Sequence, residues 1–346
     1  MFYKKIGVGL VGFGLSGRYF HTPFLLAHPG FLLKKVVTSR SDDVVAFNPS
    51  IETVFTVEEL LVDDSIDLVF ICSPNETHFQ YARAALESNK HVVVEKPFAL
   101  NEQETDLLLS LAKKMGLVAT AFQNRRWDAD FLTIKQLIAT NKLGEILEYE
   151  ARYDRFSPVI NHSLSWKESP NEGHGSLYNL GPHLIDQALQ LFGQPQTVFA
   201  DTRIMRPHSR VVDWFTILLG YTSKQITLKS SLMARHNHLR FILHGTKGSF
   251  TKSGLDVQEE QLRQSQLPNT PHWGYEPAAN WGLLTRESQS ELIESEPGNY
   301  SPFYSGLYEA IVNGADPIVK PHEIQQIAHI ISLVNQSASE GRSLTY

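Results

Sequence analysis

The 346-residue sequence predicts an α/β fold, in which a doubly wound parallel sheet is followed by an α+β domain with an open, mainly antiparallel sheet. Up to about Phe122, short apolar runs alternate with helical patterns, as they do in parallel sheets built from β-α units. Beyond that point, strand-like runs follow one another with little helix between them, which is typical of antiparallel sheets. The chain is also too long for one ordinary core. We therefore expect two domains, 1–122 and 123–346.

The first predicted strand leads into a glycine-rich turn. Apolar residues from Ile6 precede Gly12-Phe13-Gly14-Leu15-Ser16-Gly17, and the stretch from Arg18 to Ala27 can form a helix. Strand, G-x-G-x-x-G and helix in this order are the fingerprint of a dinucleotide-binding Rossmann domain. The glycines permit a tight turn, a close approach of the pyrophosphate to the backbone, and close packing of the helix on the strand. The residues expected to bind the cofactor here are Gly12, Phe13, Gly14, Leu15 and Gly17.

The end of the second predicted strand, residues 31–38, bears on the choice of dinucleotide. An NAD site usually has an acid about 20 residues past the glycine motif, whereas an arginine accommodates the 2′-phosphate of NADP. Ser39 and Arg40 occupy that place, and the nearest acids, Asp42 and Asp43, come later. The sequence therefore favours NADP as the cofactor, with NAD as the less favoured alternative. An ordinary surface arginine is the alternative interpretation of Arg40.

Two further buried strands are predicted at Leu68–Cys72 and His91–Val94. Ligands of open α/β sheets bind beyond the carboxyl ends of the strands, so the residues that follow these two strands should face the cofactor. Helix capping is the alternative for Asn75. The residues concerned are Ser73, Pro74, Asn75, His78, Glu95 and Lys96.

A long helix is predicted from Asn101 to Met115, with Glu104 placed for a capping box, and the second half begins with a helix at 131–140. A helix at Gly181–Phe192 should cover one face of the antiparallel sheet. Residues 268–300 are predicted to form a long ordered loop, and the last helix, 322–339, can return to the first domain. The predicted strands of the second half are 146–156, 196–204, 211–221, 225–233 and 239–244, with hairpin turns at 220–223 and 245–248.

The other face of this sheet needs a cover, and a second copy of the chain in a homodimer or homotetramer is the expected one. A net charge of −6 without a basic cluster argues against nucleic-acid and membrane-surface partners. No apolar run approaches the roughly 18 residues of a membrane helix. The single cysteine, Cys72, cannot form an internal disulfide, so we expect a cytoplasmic protein. We expect no metal site, because His236 and His238 have no third ligand at motif spacing.

Three motifs occur in order along the chain: the glycine turn Gly12–Gly17, Glu95-Lys96-Pro97, and Gly175–Asp186, which reads GSLYNLGPHLID. With them the sequence resembles, over nearly its whole length, the glucose-fructose oxidoreductase/inositol dehydrogenase family, often called Gfo/Idh/MocA. Within that family it looks most like the NADP-dependent scyllo-inositol dehydrogenase group, on the segments 38–40, 124–128, 154–156 and 180–187.

The resemblance implies an N-terminal Rossmann domain, a C-terminal domain whose open sheet mediates dimers or tetramers, and oxidation of a secondary alcohol of a polyol or sugar. It also implies that Lys96 is the catalytic lysine and His183 the catalytic histidine. Asn179 is the third catalytic candidate, and it stands where the family usually has an aspartate, four residues before this histidine.

The chemistry of these residue types agrees with those roles. An ammonium such as Lys96 can donate a charged hydrogen bond to the reacting oxygen, and the imidazole of His183 can accept its proton. A sugar also needs hydrogen-bond donors and an apolar platform. The candidate substrate-binding residues are Tyr153, Arg155, Trp166, Asn179 and His183.

Several interpretations stay open at this stage. Strand alternation and a packed core are the alternative explanation for Tyr153, Arg155 and Trp166. A dihydrodiol or amino-sugar dehydrogenase would keep the fold and change the substrate. A catalytically silent NADP sensor is the alternative from a different class, and Asn179 leaves it open.

Overall fold

The computed structural model describes residues 4–160, 166–235, 239–287 and 289–346. The side chain of Trp166 and the residues His236 and His238 lie outside this described part. The chain divides into two units, each built around one sheet. The first unit comprises Met1–Asn124, Glu259–Trp273 and Asn299–Gln325, and the second comprises Arg125–Gln258, Gly274–Gly298 and Gln326–Tyr346.

The sheet of the first unit has six strands: β1 (Ile6–Val11), β2 (Phe31–Val37), β3 (Glu52–Val54), β4 (Leu68–Ile71), β5 (His91–Val94) and β6 (Ala119–Ala121). All pairs are parallel, and the strand order is β3-β2-β1-β4-β5-β6. This confirms the doubly wound parallel sheet, although the three-residue strand β3 was not predicted. The strand order reverses between β1 and β4, which places the carboxyl ends of these strands at the switch point where ligands of such folds bind.

Five helices connect these strands: α1 (Thr22–Ala27), α2 (Ser41–Phe47), α3 (Val57–Leu61), α4 (His78–Glu87) and α5 (Glu102–Met115). A π-helical turn, Ser16–His21, joins the glycine motif to α1. At the start of α5, the side chain of Asn101 accepts a hydrogen bond of 2.9 Å from the backbone N–H of Glu104, and the Glu104 carboxylate accepts one of 3.1 Å from Leu100. The cap predicted at Asn101 is therefore confirmed.

The second unit contains α6 (Ala129–Ala139), α7 (Ser176–Phe192) and a sheet of nine strands. The strand order is β14-β13-β12-β11-β7-β10-β9-β8-β15, and every pair is antiparallel except β7 with β10. The mainly antiparallel sheet is thus confirmed. Its strands are β7 (Ile146–Asp154), β8 (Thr197–Arg203), β9 (Trp214–Gly220), β10 (Gln225–Ser231), β11 (Phe241–Gly245), β12 (Gly248–Lys252), β13 (Gly282–Arg286), β14 (Gln289–Ile293) and β15 (Leu344–Thr345).

Two local predictions for this unit were wrong. The predicted loop at 268–300 contains β13 and β14. Strand β14 was not predicted because it lies at the edge of the sheet with exposed side chains and so lacks an apolar alternation. Helix α7 begins at Ser176 rather than Gly181, with Pro182 inside it. Proline is favoured in the first turn of a helix, which explains the late predicted start, whereas burial of α7 from Ser176 onward keeps the preceding turn helical.

Three more helices follow: α8 (Gln258–Arg263), α9 (Ser301–Asn313) and α10 (Pro321–Glu340). In the first unit, the ring of Tyr304 on α9 stacks on Phe24 of α1 with a centroid distance of 5.0 Å. Residues of α10 up to Gln325 belong to the first unit, and those from Gln326 belong to the second. No helix within the described ranges is long and apolar enough to cross a membrane.

The core of the second unit lies where α7 and the later part of α10 pack on one face of the sheet, around residues such as Ile185, Phe215 and Ile331. Strand β7 alternates as a two-sided strand should, since Tyr149 is buried while the polar side chains between its buried positions point to the other face. On that other face, Nζ of Lys229 lies 3.1 Å from Oε2 of Glu150.

Candidate functional site

The glycine turn follows β1 in the first unit, and each glycine meets a different steric demand. Gly12 has a φ of +97°, and a Cβ on it would lie 2.8 Å from the carbonyl oxygen of Cys72. A Cβ on Gly17 would lie 2.3 Å from the carbonyl oxygen of Gly12, so this position must also be glycine. A Cβ on Gly14 would meet no atom within 4 Å. The open space at Gly14 fits the requirement of a nucleotide pyrophosphate for close approach to the backbone.

The two side chains between these glycines lie in different surroundings. Phe13 is buried and meets Phe47 edge to face at 6.4 Å, so its ring anchors the turn on α2. Leu15 is among the exposed apolar residues.

Ser39 and Arg40 are both exposed in the loop between β2 and α2. The backbone N–H of Arg40 donates a hydrogen bond of 3.0 Å to the hydroxyl oxygen of Thr38. Of the two acids that follow, Asp43 lies 3.6 Å from the guanidinium of Arg18. The exposed loop after β2 therefore carries the arginine that we predicted to bind the ribose 2′-phosphate.

The loop after β4 is held by hydrogen bonds among its own residues. The hydroxyls of Ser73 and Thr77 lie 2.6 Å apart, and the carbonyl of Pro74 accepts from the backbone N–H of Thr77 at 2.9 Å. Asn75 is largely buried in the short helical turn that precedes α4. The loop therefore presents Ser73 and Pro74 at the carboxyl end of β4 in a fixed conformation.

His78 is completely buried and joins this loop to the one after β5. Its Nδ1 lies 2.7 Å from the carbonyl oxygen of Pro97, and its Nε2 lies 3.0 Å from the carbonyl oxygen of Ser73. Burial lowers the pKa of His78, against the opposing effect of these two carbonyls. The structure therefore places the imidazole between two loops, where it positions them, rather than on an open surface.

Glu95 and Lys96 follow β5, and Glu95 is the centre of a hydrogen-bonded network within the first unit. Its Oε1 accepts a short hydrogen bond from the hydroxyl of Ser16 and lies 3.2 Å from Nε2 of the fully buried His21. On the other side of the ring, Nδ1 of His21 lies 2.9 Å from the hydroxyl of Tyr304, which donates to the carbonyl of Phe20. The network ties the glycine turn, α9 and the end of β5 together.

This network keeps the Glu95 carboxyl ionised. Burial alone would raise the pKa of Glu95, but the hydrogen bonds from His21 and Ser16 and the charge of Lys96 lower it to about 2. The backbone N–H of Lys96 donates to Oε2 of Glu95 at 3.2 Å, and the Lys96–Pro97 peptide bond is cis. A fixed negative charge therefore stands directly before the lysine that we predicted to be catalytic.

In the second unit, α7 presents a row of polar residues on one face. Asn179, His183 and Gln187 follow one another at intervals of four residues, and Asp186 lies three residues after His183, so all four are on one side of the helix. His183 is 7% exposed, and its ring lies 6.4 Å from that of Tyr153 on β7. The polar face of α7 is thus turned toward neighbouring side chains of its own unit.

Two arginines hold the buried end of this row. Nε and Nη2 of Arg126 donate to the two carboxylate oxygens of Asp186 at 2.9 and 2.6 Å, in a bidentate pair that is nearly excluded from solvent. Arg240 donates to the side-chain oxygen of Gln187 at 2.9 Å and places its guanidinium 3.8 Å from the ring centre of Tyr153. Asp186 and Gln187 therefore fix the rotation of α7.

Tyr153 is a buried tyrosine beside His183. Burial raises the pKa of its hydroxyl, although the charge of Arg240 opposes this. Within the described residues, the hydroxyl oxygen has no hydrogen-bond partner. A buried hydroxyl in this condition can form a hydrogen bond with a polar group of a ligand, since most such groups in proteins are hydrogen-bonded.

Asn179 and Arg155 lie in the wall of a cavity of about 220 Å³ within the second unit. Nζ of Lys167 donates to Oδ1 of Asn179 at 3.0 Å. Trp166 begins the short helical turn that carries Lys167, and its side chain lies outside the described part. The polar side chains of the cavity wall belong to Arg155, Ser157, Lys167, Glu168, Ser176, Asn179 and Arg206.

Several residues of these sites were not predicted from the sequence. No local sequence motif indicates the roles of His21 and Tyr304, since their contact joins residues 283 positions apart. Ser16 lies at a variable position of the glycine motif, and the sequence predicted no role for it. Lys167 and Arg206 are charged residues in segments without a recognisable motif. Within the described ranges, no group of three His, Cys, Asp or Glu side chains is arranged to hold a metal ion.

Comparison with known proteins agrees with this fold. Residues 6–122 match the profile described as "Oxidoreductase family, NAD-binding Rossmann fold", and residues 135–346 match "Oxidoreductase family, C-terminal alpha/beta domain". The uncharacterized oxidoreductase YdgJ of Escherichia coli is 38% identical over 98% of both chains. The scyllo-inositol 2-dehydrogenase (NADP(+)) IolW of Bacillus subtilis is 35% identical over 98% of this chain and 95% of its own.

The solved structure of yvaA from Bacillus subtilis has a TM-score of 0.95 at 35% identity, and the match covers 100% of this chain and 99% of that one. Both profiles come from one oxidoreductase family, and the relatives match along the full length. The chain therefore belongs to the Gfo/Idh/MocA family of oxidoreductases, with an NAD(P)-binding Rossmann fold in its N-terminal part.

Proposed function

We propose that the protein is an NADP-dependent dehydrogenase that transfers hydride between the nicotinamide and a secondary alcohol or ketone of a cyclic polyol or sugar. The observation that supports this most is the position of Lys96 beside a carboxylate that stays ionised, at the carboxyl edge of a nucleotide-binding sheet. The similarity to IolW supports an inositol-like substrate.

The residues of the first unit fit the cofactor. The open space at Gly14 would receive the pyrophosphate, with Gly12, Phe13, Leu15 and Gly17 forming the turn around it. Ser39 and Arg40 would hold the ribose 2′-phosphate, because a guanidinium forms bidentate hydrogen bonds with phosphate oxygens. Ser73, Pro74 and Asn75 would line the same edge from β4. When bound, the nicotinamide supplies or accepts the hydride.

The chain's own residues would handle the hydroxyl proton. Lys96 would donate a hydrogen bond to the reacting oxygen and stabilise negative charge on it, which is typically the largest contribution such a site makes. His183 would take the proton during oxidation and return it during reduction, since imidazole titrates near neutral pH. Asn179 would help to position the substrate with its amide, and Tyr153 and Arg155 would contact its polar groups.

In this proposal, the two parts of the chain have different roles. Residues 1–122 would bind the nucleotide, and residues 123–346 would bind the substrate and form the contact between subunits. The contact would use the sheet face that carries Glu150 and Lys229, in a homodimer or homotetramer. We place the enzyme in the cytoplasm.

One observation favours a second candidate function. Asn179 presents a neutral amide where the family usually has an aspartate, and a histidine that loses its carboxylate partner can lose orders of magnitude in rate, as the serine proteases illustrate. The second candidate is a catalytically silent protein that binds NADP and reports its level to a partner. A dihydrodiol or amino-sugar dehydrogenase would use the same residues on a different substrate.

Steady-state kinetics with NADP⁺ and a panel of cyclic polyols and sugars, followed by NADPH absorbance, test the proposal. Lys96→Ala should lower kcat by at least about 100-fold, as the loss of one donor to a developing oxyanion does. Lys113→Ala, which removes an exposed lysine from the end of α5, is the matched control and should leave kcat unchanged. NADP binding without turnover on any alcohol or its ketone would favour the sensor, and unchanged turnover in Lys96→Ala would refute the role of the lysine.

A further inference from the structure

Arg18 is a charged residue next to the glycine turn that the proposed function does not use. It lies on the π-helical turn after the motif, and its backbone N–H donates a hydrogen bond of 3.0 Å to the carbonyl oxygen of Gly14. Its guanidinium lies beside α2, where Nη1 is 3.6 Å from Oδ1 of Asp43. Arg18 therefore connects the glycine turn with the helix that follows the loop carrying Ser39 and Arg40.

Asp43 and Arg40 belong to the same helical turn. Arg40 immediately precedes α2, its carbonyl oxygen accepts a hydrogen bond of 3.4 Å from the backbone N–H of Val44, and Asp43 is the third residue of the helix. Residues three apart in such a turn are neighbours, with about 5–6 Å between their Cβ atoms. A guanidinium that contacts Asp43 is therefore close to Arg40, the residue proposed to bind the ribose 2′-phosphate.

The ion pair with Asp43 does not account for Arg18. Its separation of 3.6 Å is longer than a hydrogen bond, and the side chains of Arg18 and Asp43 are 36% and 42% exposed. Ion pairs of this exposure contribute little to stability. Within the part of the chain that the structure describes, Nε of Arg18 is buried without a hydrogen-bond partner. Since a guanidinium has several N–H donors, Arg18 can bind a second anion.

A neighbouring ring also defines the position of this guanidinium. Cζ of Arg18 lies 5.3 Å from the centre of the Tyr19 ring, within the range of a cation–π contact. The side chain is thus placed between Tyr19 and Asp43 before any nucleotide binds. A side chain that is already placed loses less conformational freedom when it binds a ligand.

We propose that Arg18 is a second arginine of the 2′-phosphate site, which binds this phosphate together with Arg40 and so helps to select NADP over NAD. The inference rests on the proposed NADP-dependent function and adds a specificity-determining residue to it. Guanidinium groups form charge-assisted, often bidentate hydrogen bonds with phosphate oxygens. When the nucleotide binds, the 2′-phosphate replaces the Asp43 carboxylate as the main partner of Arg18.

Fluorescence titration of the full chain with NADPH and with NADH tests this role without turnover. Arg18→Gln should lower the ratio of NADPH to NADH affinity about tenfold or more, because only NADPH has a phosphate that loses a charged donor. Arg83→Gln is the matched control, since it removes an exposed arginine that pairs with Glu87 on α4. It should leave both affinities unchanged.

A second pair of probes separates the 2′-phosphate from the pyrophosphate, which Arg18 could also reach from its place beside Gly14. Adenosine 2′,5′-bisphosphate and adenosine 5′-monophosphate differ only in the 2′-phosphate. In calorimetric titrations, Arg18→Gln should weaken the bisphosphate about tenfold or more and leave the monophosphate unchanged. Equal weakening of both probes would overturn the proposal.

A variant of Asp43 tests the exchange of partners. Asp43→Asn keeps the size of the side chain and removes the carboxylate that competes with the phosphate for Arg18. The ratio of NADPH to NADH affinity should therefore rise about threefold or more. This variant also decides the question if Arg18→Gln does not fold, as judged by circular dichroism. A ratio that stays constant or falls in Asp43→Asn would contradict the exchange.

An unchanged ratio of affinities in Arg18→Gln, or tighter binding of NADH than of NADPH by the wild type, would overturn the role of Arg18. The two proposals fail separately. If NADPH binds in a manner that depends on Arg18 but no alcohol is oxidised, the phosphate site stands and the dehydrogenase assignment falls. If alcohols are oxidised with NADP⁺ and Arg18→Gln keeps the wild-type cofactor preference, the dehydrogenase assignment stands and the role of Arg18 falls.

Discussion

Replacing Glu95 by glutamine should destabilise the protein at neutral pH. It should also make the free energy of unfolding vary less as the pH falls. The carboxylate is the centre of the network that joins Ser16, His21 and Lys96. Glutamine keeps the size of the side chain and an oxygen acceptor for the Ser16 hydroxyl. The substitution therefore removes the charge while leaving the packing and one hydrogen bond in place.

The magnitude follows from the pKa of Glu95, which is lowered from 4.5 to about 2. A pKa difference of about 2.5 at about 1.4 kcal/mol per pKa unit corresponds to about 3.5 kcal/mol of folding free energy. Because the folded state holds the proton less tightly than the unfolded state, this contribution is fully present above about pH 4.5 and is lost as the pH falls toward 2. At about pH 3, roughly 1.4 kcal/mol of it should remain.

Urea denaturation of the wild type and Glu95→Gln between about pH 7 and pH 3 measures this contribution as the difference between their free energies of unfolding. The gap should narrow from about 3.5 to about 1.4 kcal/mol over that range. Glu58→Gln, which changes an exposed acid on α3, serves as the control and should differ little from the wild type at any pH. A gap that stays constant with pH, or one of the same size in Glu58→Gln, would refute the argument that Glu95 is held ionised.

Three further outcomes follow from the geometry. Gly14→Ala should fold normally, because its Cβ meets no atom within 4 Å, but should weaken NADPH binding about tenfold or more in a fluorescence titration; wild-type affinity would contradict a pyrophosphate at that turn. Arg40→Asp should shift the ratio of NADPH to NADH affinity toward NADH by about tenfold or more. Equal affinities for the two cofactors in the native protein would argue that Arg40 does not bind the 2′-phosphate. Asp186→Asn should cost about 3–5 kcal/mol in urea unfolding, because it leaves Arg126 buried without its carboxylate, whereas Asp201→Asn in an exposed ion pair should cost less than about 1 kcal/mol; similar losses in both would refute the burial argument.

Features that depend on neighbouring residues were predictable. The glycines of the turn are needed because a Cβ on Gly12 or Gly17 would strike backbone atoms only a few residues away along the chain or at the adjoining strand. Strands β1 and β4 are continuous apolar runs because both faces are covered, and the cap at Asn101 is a contact between residues three apart. Periodicity and local capping report such features directly.

Polar and edge elements could not be predicted in the same way. Strand β14 has no apolar alternation, since it lies at the sheet edge with its side chains exposed. The parallel pairing of β7 with β10 depends on how strands far apart in the chain assemble, and α7 continues through Pro182 because its surroundings bury it. Propensity is a weak signal wherever such packing overrides it.

The amino-acid order alone was sufficient to indicate the α/β class, the nucleotide-binding turn and the candidate pair Lys96 and His183, because each of these is encoded in a short stretch of chain. The ionised state of Glu95 and the cavity beside Asn179 come from the folded arrangement. Both depend on side chains from distant segments, such as His21 with Tyr304, which meet only after the backbone has folded and water has been excluded. A pKa or a cavity is a property of that assembled environment, and no local pattern records it.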